Sequence, residues 1–223
     1  MKTHQAIIFD LDGTLIDSLI DISDAMNHTL SSFGYFTHPY EAYKYFVGKG
    51  LMNLVKSCVP PSALENPQTI RNCFEMFIDY YQRNLTNKTQ LYPEINELLD
   101  TLTSKGIKMA ILSNKADKLT KQICNDLLKE WQFEVIMGAT DDFPRKPNPK
   151  SALFIAKKLD ISPENILYVG DSNVDMQTAV AAEMFPVGVT WGFRTREELQ
   201  DAGARLIIDK PIELVENISG FQS

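Results

Sequence analysis

The chain reads Ile8-Phe9-Asp10-Leu11-Asp12-Gly13-Thr14-Leu15 near its start, and this run predicts a buried strand that ends at a carboxylate. Open α/β sheets bind ligands at the carboxyl ends of their strands, so Asp10 is expected at a binding cleft, and Asp12 returns towards that cleft. Two carboxylates this close suppress each other's ionisation unless a cation or distinct environments separate them. One can then be a metal-bound nucleophile and the other a general acid and base. The alternative is an ordinary strand-end turn, in which Asp and Gly are common.

Short apolar runs alternate with helix-like segments along most of the chain, a pattern typical of a parallel sheet built from βα units. Several runs are almost wholly apolar, as expected for strands covered on both faces. Helices are expected after Pro93-Glu94 and at Pro149, and Asn173 is expected to cap a third helix. The pattern therefore predicts an α/β fold with a Rossmann-like parallel sheet. The predicted strands are Gln5–Asp10, Ile107–Ser113, Phe133–Met137, Ile166–Gly170, Phe185–Thr190 and Arg205–Ile208.

Residues 16–87 interrupt this alternation. They contain apolar residues at helical spacing, such as Ile20, Met26 and Leu30, and no convincing strand. The interval between the first two predicted strands is also far longer than a βα crossover needs. The simplest explanation is an inserted all-helical cap of residues 16–87, on a discontinuous core formed by residues 1–15 and 88–223.

The composition narrows the class of protein. The 223 residues are 44% hydrophobic and 23% charged, as in an ordinary soluble protein with a packed core. Lys and Arg number 22 against 29 Asp and Glu, and this net charge of −7 argues against a nucleic-acid or anionic-membrane partner. The three cysteines are far apart, which predicts a reducing compartment without disulfides or zinc. Because the first apolar run is too short for a signal peptide, and no run approaches the roughly 18 apolar residues of a membrane span, a cytoplasmic enzyme is expected.

Two further stretches carry polar or charged side chains. Ser113 and Asn114 follow an apolar run, and a hydroxyl can donate a hydrogen bond without adding charge. Helix capping explains this pair about as well. Lys146 lies between restricted, proline-containing turns and is interpreted as a positioned point charge, with a solvated loop lysine as the alternative.

A second pair of carboxylates follows another apolar strand. Asp171 comes directly after the strand, and Asp175 lies one helical turn beyond it, so both are expected to face the same way. Together with Asp10 they form an all-oxygen site that suits a hard cation such as Mg²⁺. Helix N-capping is the alternative.

In this order, the four stretches resemble the four motifs of the haloacid dehalogenase superfamily. The resemblance implies that Asp10 attacks phosphorus to form an aspartyl phosphate, while Asp12 protonates the leaving alkoxide and then activates water. It also implies that Mg²⁺ is held by Asp10, Asp12 (through its backbone carbonyl) and Asp171, with Asp175 in support. The transferring oxygens are then held by Ser113, Asn114 and Lys146. The four stretches that resemble these motifs are residues 8–15, 111–115, 145–149 and 169–175.

Three shorter stretches resemble the phosphoglycolate phosphatase group of that superfamily. They are Asp17-Ser18 with Asp21-Ile22, Val47-Gly48-Lys49-Gly50, and Thr190-Trp191-Gly192-Phe193. The glycines at 48 and 50 would let backbone amides approach an anion, and Lys49 would add charge, so Gly48 and Lys49 are candidate specificity residues. An ordinary helix–helix turn is the alternative.

The resemblance leaves several functions open. The leading hypothesis is a Mg²⁺-dependent phosphatase that acts on a small phosphorylated metabolite similar to phosphoglycolate, as a monomer or homodimer. A sugar-phosphate mutase, an inorganic pyrophosphatase and a non-catalytic binding protein are the alternatives. The dehalogenase branch is disfavoured, because its nucleophile motif lacks the second aspartate, Asp12.

Overall fold

The computed structural model describes residues 4–219, so residues 1–3 and 220–223 of the predicted core lie outside the described residues. The strands are β1 (Ala6–Phe9), β2 (Ile16–Asp17), β3 (Gln90–Leu91), β4 (Lys108–Ala116), β5 (Val135–Ala139), β6 (Ile166–Gly170), β7 (Phe185–Val189) and β8 (Leu206–Ile208). The α-helices are α1 (Leu19–Ser32), α2 (Tyr40–Phe46), α3 (Leu51–Cys58), α4 (Pro61–Leu64), α5 (Pro67–Arg83), α6 (Ile95–Ser104), α7 (Asp117–Leu127), α8 (Lys150–Leu159), α9 (Asn173–Ala181), α10 (Arg196–Asp201) and α11 (Glu213–Ser219). Within residues 4–219, no helix has the length and apolar character needed to cross a membrane.

Six strands form a parallel sheet in the order β5-β4-β1-β6-β7-β8. In the central strand β1, Ile7 and Phe9 enter one core cluster, whereas Ala6 and Ile8 enter another. Side chains alternate between the faces of a strand, so both faces of this sheet are covered. The predicted α/β fold with a parallel sheet is therefore confirmed.

The register of the sheet aligns the carboxyl ends of β1 and β6 with the middle of β4. Phe9 at the end of β1 is aligned with Ile111 of β4 and with Val169 of β6. Since the three strands run in the same direction, the residues that follow these positions emerge at one edge of the sheet. Asp10 and Asp171 both belong to this edge.

The six predicted strands all occur, but only Ile166–Gly170 has the predicted bounds. The largest difference is in β4, which continues past Ser113 to Ala116 with a shift of register between Leu112 and Ala116. Polar residues do not end this strand, because their side chains are buried among partners in the site. The prediction that Asn173 caps a helix is wrong. Ser172 is the N-cap of α9, and it forms a capping box with the residue three positions later.

Residues 16–87 contain five helices, α1 to α5. They also contain one strand that was not predicted: β2 pairs antiparallel with β3, which lies just after this segment. Two-residue strands are too short to show a periodic pattern, so hydrophobic periodicity does not predict them. Ile20, one of the residues cited for helical spacing, is 40% exposed, whereas Met26 and Leu30 are buried. We propose that residues 16–87 form a cap, with its two connections held side by side by this small sheet.

Candidate active site

Side chains from several strand ends and loops surround one cavity at the carboxyl edge of the sheet. The core supplies acidic, polar and basic groups, while the region of α2 and α3 supplies mostly apolar groups and backbone. The residues that line the cavity include Asp10, Asp12, Ser113, Asn114, Lys115, Lys146, Asp171, Gly48, Gly50 and Arg194. The structure therefore brings residues from all four predicted motifs to one place, as expected for motifs at the ends of neighbouring parallel strands.

Three buried carboxylates form the acidic part of the site. Oxygen atoms of Asp10, Asp171 and Asp175 all lie within 4.8 Å of one another. Burial, followed by the nearby charge of Asp175, raises the pKa of Asp10 well above its usual range, and Lys146 acts against this rise. Burial and Asp175 likewise raise the pKa of Asp171 to about 7, although the backbone N–H of Phe193 and the charge of Arg194 oppose the shift. Ionising this cluster is costly without a further positive charge.

Lys146 supplies one positive charge to this cluster. Its ammonium donates to Asp10 and Asp175, both at 2.7 Å, and to the backbone carbonyl of Leu112 at 3.0 Å. Burial disfavours its charged form, but the two carboxylates outweigh burial and raise the pKa of Lys146 well above its usual range. The lysine side chain is only 3% exposed, so it is not a solvated loop residue.

The local backbone explains why Asp171 is held in place. Gly13 has φ of 90° and Gly192 lies beside it, and a Cβ atom at either position would collide with the Asp171 side chain. The carboxylate accepts hydrogen bonds from the backbone N–H of Phe193 at 2.7 Å and from the Thr14 hydroxyl at 3.4 Å. Glycine at these two positions thus allows a carboxylate to be enclosed by main chain.

Asp175 is fixed by the start of α9. Its carboxylate accepts from the backbone N–H of Ser172 at 3.2 Å and from the Ser172 hydroxyl at 2.5 Å, and its other oxygen accepts from Lys146. Asp175 therefore completes the capping box of Ser172, the N-cap of α9, and also belongs to the acidic cluster.

Asp12 lies apart from that cluster and has its own cation. Its Oδ1 atom accepts from the Lys115 ammonium at 2.6 Å and from the Ser18 hydroxyl at 2.5 Å. Lys115 also donates to the hydroxyl oxygen of Tyr81 at 2.8 Å. Burial raises the pKa of Tyr81 to about 12, so its hydroxyl is neutral at physiological pH. Sequence reasoning assigned no role to Lys115, Ser18 or Tyr81.

Ser113 and Asn114 are both buried at the end of β4, but they make different contacts. The Ser113 Oγ atom accepts from the backbone N–H of Lys115 at 3.1 Å, which leaves its hydroxyl proton available to another acceptor. The Asn114 amide donates to the carbonyls of Gly48 and Lys146 at 3.0 and 3.1 Å, and accepts from the Lys146 backbone N–H at 2.9 Å. Asn114 thus joins the loop of Lys146 to the loop that follows α2.

The predicted specificity residues lie in that second loop. Gly48 and Gly50 have φ of 112° and 90° and line the cavity, whereas the Lys49 side chain is exposed. The cation that lines the cavity at this end is Arg194, which donates to the carbonyl of Val47 at 3.0 Å and also to that of Lys44. Arg194 forms no ion pair with any of the residues that the structure describes. Sequence reasoning missed it, since an arginine after Phe193 carries no distinctive spacing.

The acidic cluster fits a divalent cation. Asp10, Asp171 and Asp175 offer only oxygen ligands, the donors that hard cations such as Mg²⁺ prefer. With all three ionised and Lys146 protonated, the cluster carries −3 + 1 = −2, which a divalent cation would balance. The positive charge of a bound cation would also oppose the mutual repulsion of the carboxylates, which raises the pKa values of Asp10 and Asp171.

Comparison with known proteins agrees with the arrangement of these motifs. The chain matches the family model described as "Haloacid dehalogenase-like hydrolase" over residues 7–189. It is 31% identical over 212 residues to a phosphoglycolate phosphatase of Aquifex aeolicus, with 95% of each chain covered. It is 29% identical over 219 residues to a phosphoglycolate phosphatase of Colwellia psychrerythraea, with 96% of this chain and 97% of that one covered. Among solved structures, it is similar to a predicted phosphoglycolate phosphatase from Haemophilus somnus 129pt, with a TM-score of 0.90, 26% identity, and 97% of this chain and 99% of that chain covered. The chain belongs to the haloacid dehalogenase-like hydrolase family.

Proposed function

We propose that this protein is a Mg²⁺-dependent phosphatase that hydrolyses the phosphate monoester of a small, anionic metabolite such as phosphoglycolate. The observation that carries the proposal is the separation of two neighbouring carboxylates into different environments. Asp10 belongs to the acidic cluster with Lys146, whereas Asp12 pairs with Lys115. A nucleophile and an acid–base group need this kind of difference. The names of the relatives support the same substrate class.

In the proposed reaction, Asp10 attacks phosphorus in line, and the bond from phosphorus to the leaving oxygen breaks. Asp12 gives a proton to that oxygen and then accepts a proton from the water that hydrolyses the aspartyl phosphate. Ser113 and Lys146 hold the transferring oxygens, and Asn114 fixes the loop on which Lys146 lies. Asp10, Asp171 and the backbone carbonyl of Asp12 would hold Mg²⁺, with Asp175 in support. When bound, the cation neutralises charge on the phosphate.

The proposal separates this chain from the dehalogenase branch that gives the family its name. A halide leaves without a proton, whereas an alkoxide leaves poorly unless it is protonated. An acid–base carboxylate two residues after the nucleophile is therefore useful to a phosphatase, and here Asp12 has both the position and a bound partner in Lys115.

The side of the cavity lined by Gly48 and Arg194 suits an anionic substrate. Arg194 brings a positive charge there without a carboxylate partner among the described residues, and the backbone of Gly48 lies next to it. We propose that Arg194 attracts the carboxylate of the substrate. The earlier prediction for Lys49 stays a prediction, and it requires the exposed side chain to turn inward.

The test is a phosphate-release screen of the purified protein against a panel of phosphorylated metabolites, with Mg²⁺ and with excess EDTA. The proposal expects release that requires Mg²⁺ and is fastest for small anionic monoesters. Preferential release from pyrophosphate would support the pyrophosphatase alternative. Isomerisation of a sugar phosphate without net phosphate release would support the mutase. No turnover of any compound would contradict the proposal and favour a binding protein.

A further inference from the structure

The proposed reaction does not use the second buried cation of the cavity wall. The Lys115 side chain is 2% exposed, and the Asp12 side chain with which it pairs is 11% exposed. Removing a charge from water is costly unless its partners compensate, so a lysine in this position needs good contacts. Its ammonium has two, Asp12 at 2.6 Å and the Tyr81 hydroxyl at 2.8 Å, and it also lies 5.1 Å from the centre of the Tyr81 ring.

The contacts of Asp12 are unequal between its two oxygen atoms. Lys115 and Ser18 both donate to Oδ1, whereas Oδ2 accepts no hydrogen bond from the residues that the structure describes. Two donors on one oxygen fix the rotation of a carboxylate group. The other oxygen is left with its lone pairs free in a side chain that lines the cavity.

The groups that fix Asp12 come from both ends of the helical region, near the start of α1 and the end of α5. Ser18 immediately precedes α1, the first of its helices, and Tyr81 lies in the last turn of α5, the last of them. Lys115 itself belongs to β4 of the sheet. A chain of contacts therefore runs from Ser18 through Asp12 and Lys115 to Tyr81, and it crosses between the helical region and the sheet twice.

We propose that Lys115 is a positioning residue that turns Oδ2 of Asp12 towards the leaving oxygen of the substrate, and that Tyr81 holds Lys115 for this purpose. The inference rests on the proposed phosphatase function. In the first step an Asp10 oxygen bonds to phosphorus, and the bond from phosphorus to the leaving oxygen breaks. Asp12, which is protonated on Oδ2 at this stage, gives that proton to the leaving oxygen, which keeps the electron pair of the broken bond. In the second step Oδ2 takes a proton from water, while the water oxygen bonds to phosphorus and the Asp10 oxygen leaves. Neither step changes the number of protons on Lys115.

The proposal predicts that Lys115→Met lowers kcat/KM by a factor that depends on the leaving group of the substrate. General acid–base catalysis contributes about 10²–10⁴-fold to a rate, so a misplaced Asp12 forfeits part of that factor. Lys115→Met should lower kcat/KM for 2-phosphoglycolate by about tenfold to a hundredfold. The loss for p-nitrophenyl phosphate should be much smaller, because p-nitrophenolate leaves without a proton. The test quantity is the ratio of kcat/KM for 2-phosphoglycolate to kcat/KM for p-nitrophenyl phosphate. Lys115→Met should lower this ratio, and Tyr81→Phe should lower it by a smaller factor. A merely structural role would lower both values alike.

The experiment measures kcat and KM for both substrates with Mg²⁺ in wild type, Lys115→Met, Tyr81→Phe and the control Lys108→Met. Lys108 lies at the other end of β4 and donates to the Leu159 carbonyl, so its replacement should leave the ratio unchanged. In an Asp12→Asn background, Lys115→Met should not change the ratio further. An unchanged ratio in folded Lys115→Met would overturn the proposal. If that variant does not fold, an unchanged ratio in Tyr81→Phe has the same consequence. A wild type inactive on both substrates would instead overturn the proposed function.

Discussion

The acidic cluster makes a specific prediction about stability, which Asp171→Asn tests. Asp171 is 1% exposed, enclosed by main chain and close to Asp10 and Asp175. Without a bound cation, ionised Asp171 destabilises the folded protein. The amide of asparagine occupies nearly the same volume and can still accept from the backbone N–H of Phe193, but it carries no charge.

The magnitude follows from the pKa of Asp171, which burial and Asp175 raise from 3.8 to about 7. The folded protein therefore binds this proton more tightly than the unfolded chain. Its contribution to stability is present at low pH and is lost as pH rises from about 4 through about 7. At 1.36 kcal/mol per pKa unit, the full loss is about 4 kcal/mol above that range. For a chain of this size, 1 kcal/mol corresponds to about 2–4 °C in melting temperature.

The assay is thermal unfolding at pH 5 and pH 8, in EDTA and in excess Mg²⁺, with the exposed Asp142→Asn as the control. In EDTA at pH 8, Asp171→Asn should melt several degrees above wild type, and the difference should shrink at pH 5. Adding Mg²⁺ at pH 8 should raise the melting temperature of wild type and of Asp142→Asn, but not of Asp171→Asn. If Asp171→Asn melts at or below wild type in EDTA at pH 8, the repulsion inferred from this cluster is refuted.

Two further predictions concern the reaction and its specificity. Asp10→Asn should abolish turnover of every substrate because no nucleophile remains, whereas Asp12→Asn should retain more activity on p-nitrophenyl phosphate than on an alkyl phosphate. Equal losses on all substrates, measured as kcat/KM, would remove the acid–base role of Asp12. Arg194→Met should raise KM for 2-phosphoglycolate about tenfold or more while changing KM for p-nitrophenyl phosphate little, as expected for a lost charge-assisted contact. Lys49→Ala separates the two candidate cations: a larger effect than that of Arg194→Met would favour the loop lysine.

The strand ends were predictable because their signals are local. Buried parallel strands appear as short apolar runs, and Asp10 and Asp171 directly follow two of them. The arrangement of the sheet then brings such residues to one edge. The same local reasoning failed at Ser172 and Asn173, since both residue types cap helices well and only the capping box with Asp175 distinguishes them.

The supporting residues were not predictable because their partners are distant in the sequence. Lys115 meets Asp12 across 103 positions and Tyr81 across 34, and neither separation corresponds to a period of a helix or strand. Arg194 reaches Val47 across 147 positions. Contacts of this kind depend on which strands are neighbours in the sheet and on how the helical region sits on it, and a pattern of hydrophobic residues specifies neither.

The proposed reaction requires Asp10 to carry the phosphoryl group during turnover, and this requirement can be examined by trapping the covalent intermediate. The protein would be mixed with p-nitrophenyl phosphate and Mg²⁺, quenched in acid within the first turnovers, digested and mapped by mass spectrometry. Phosphate is expected on the peptide that contains Asp10, with none in EDTA and none in Asp10→Asn. Phosphate on another residue, or turnover by Asp10→Asn at the rate of wild type, would contradict it.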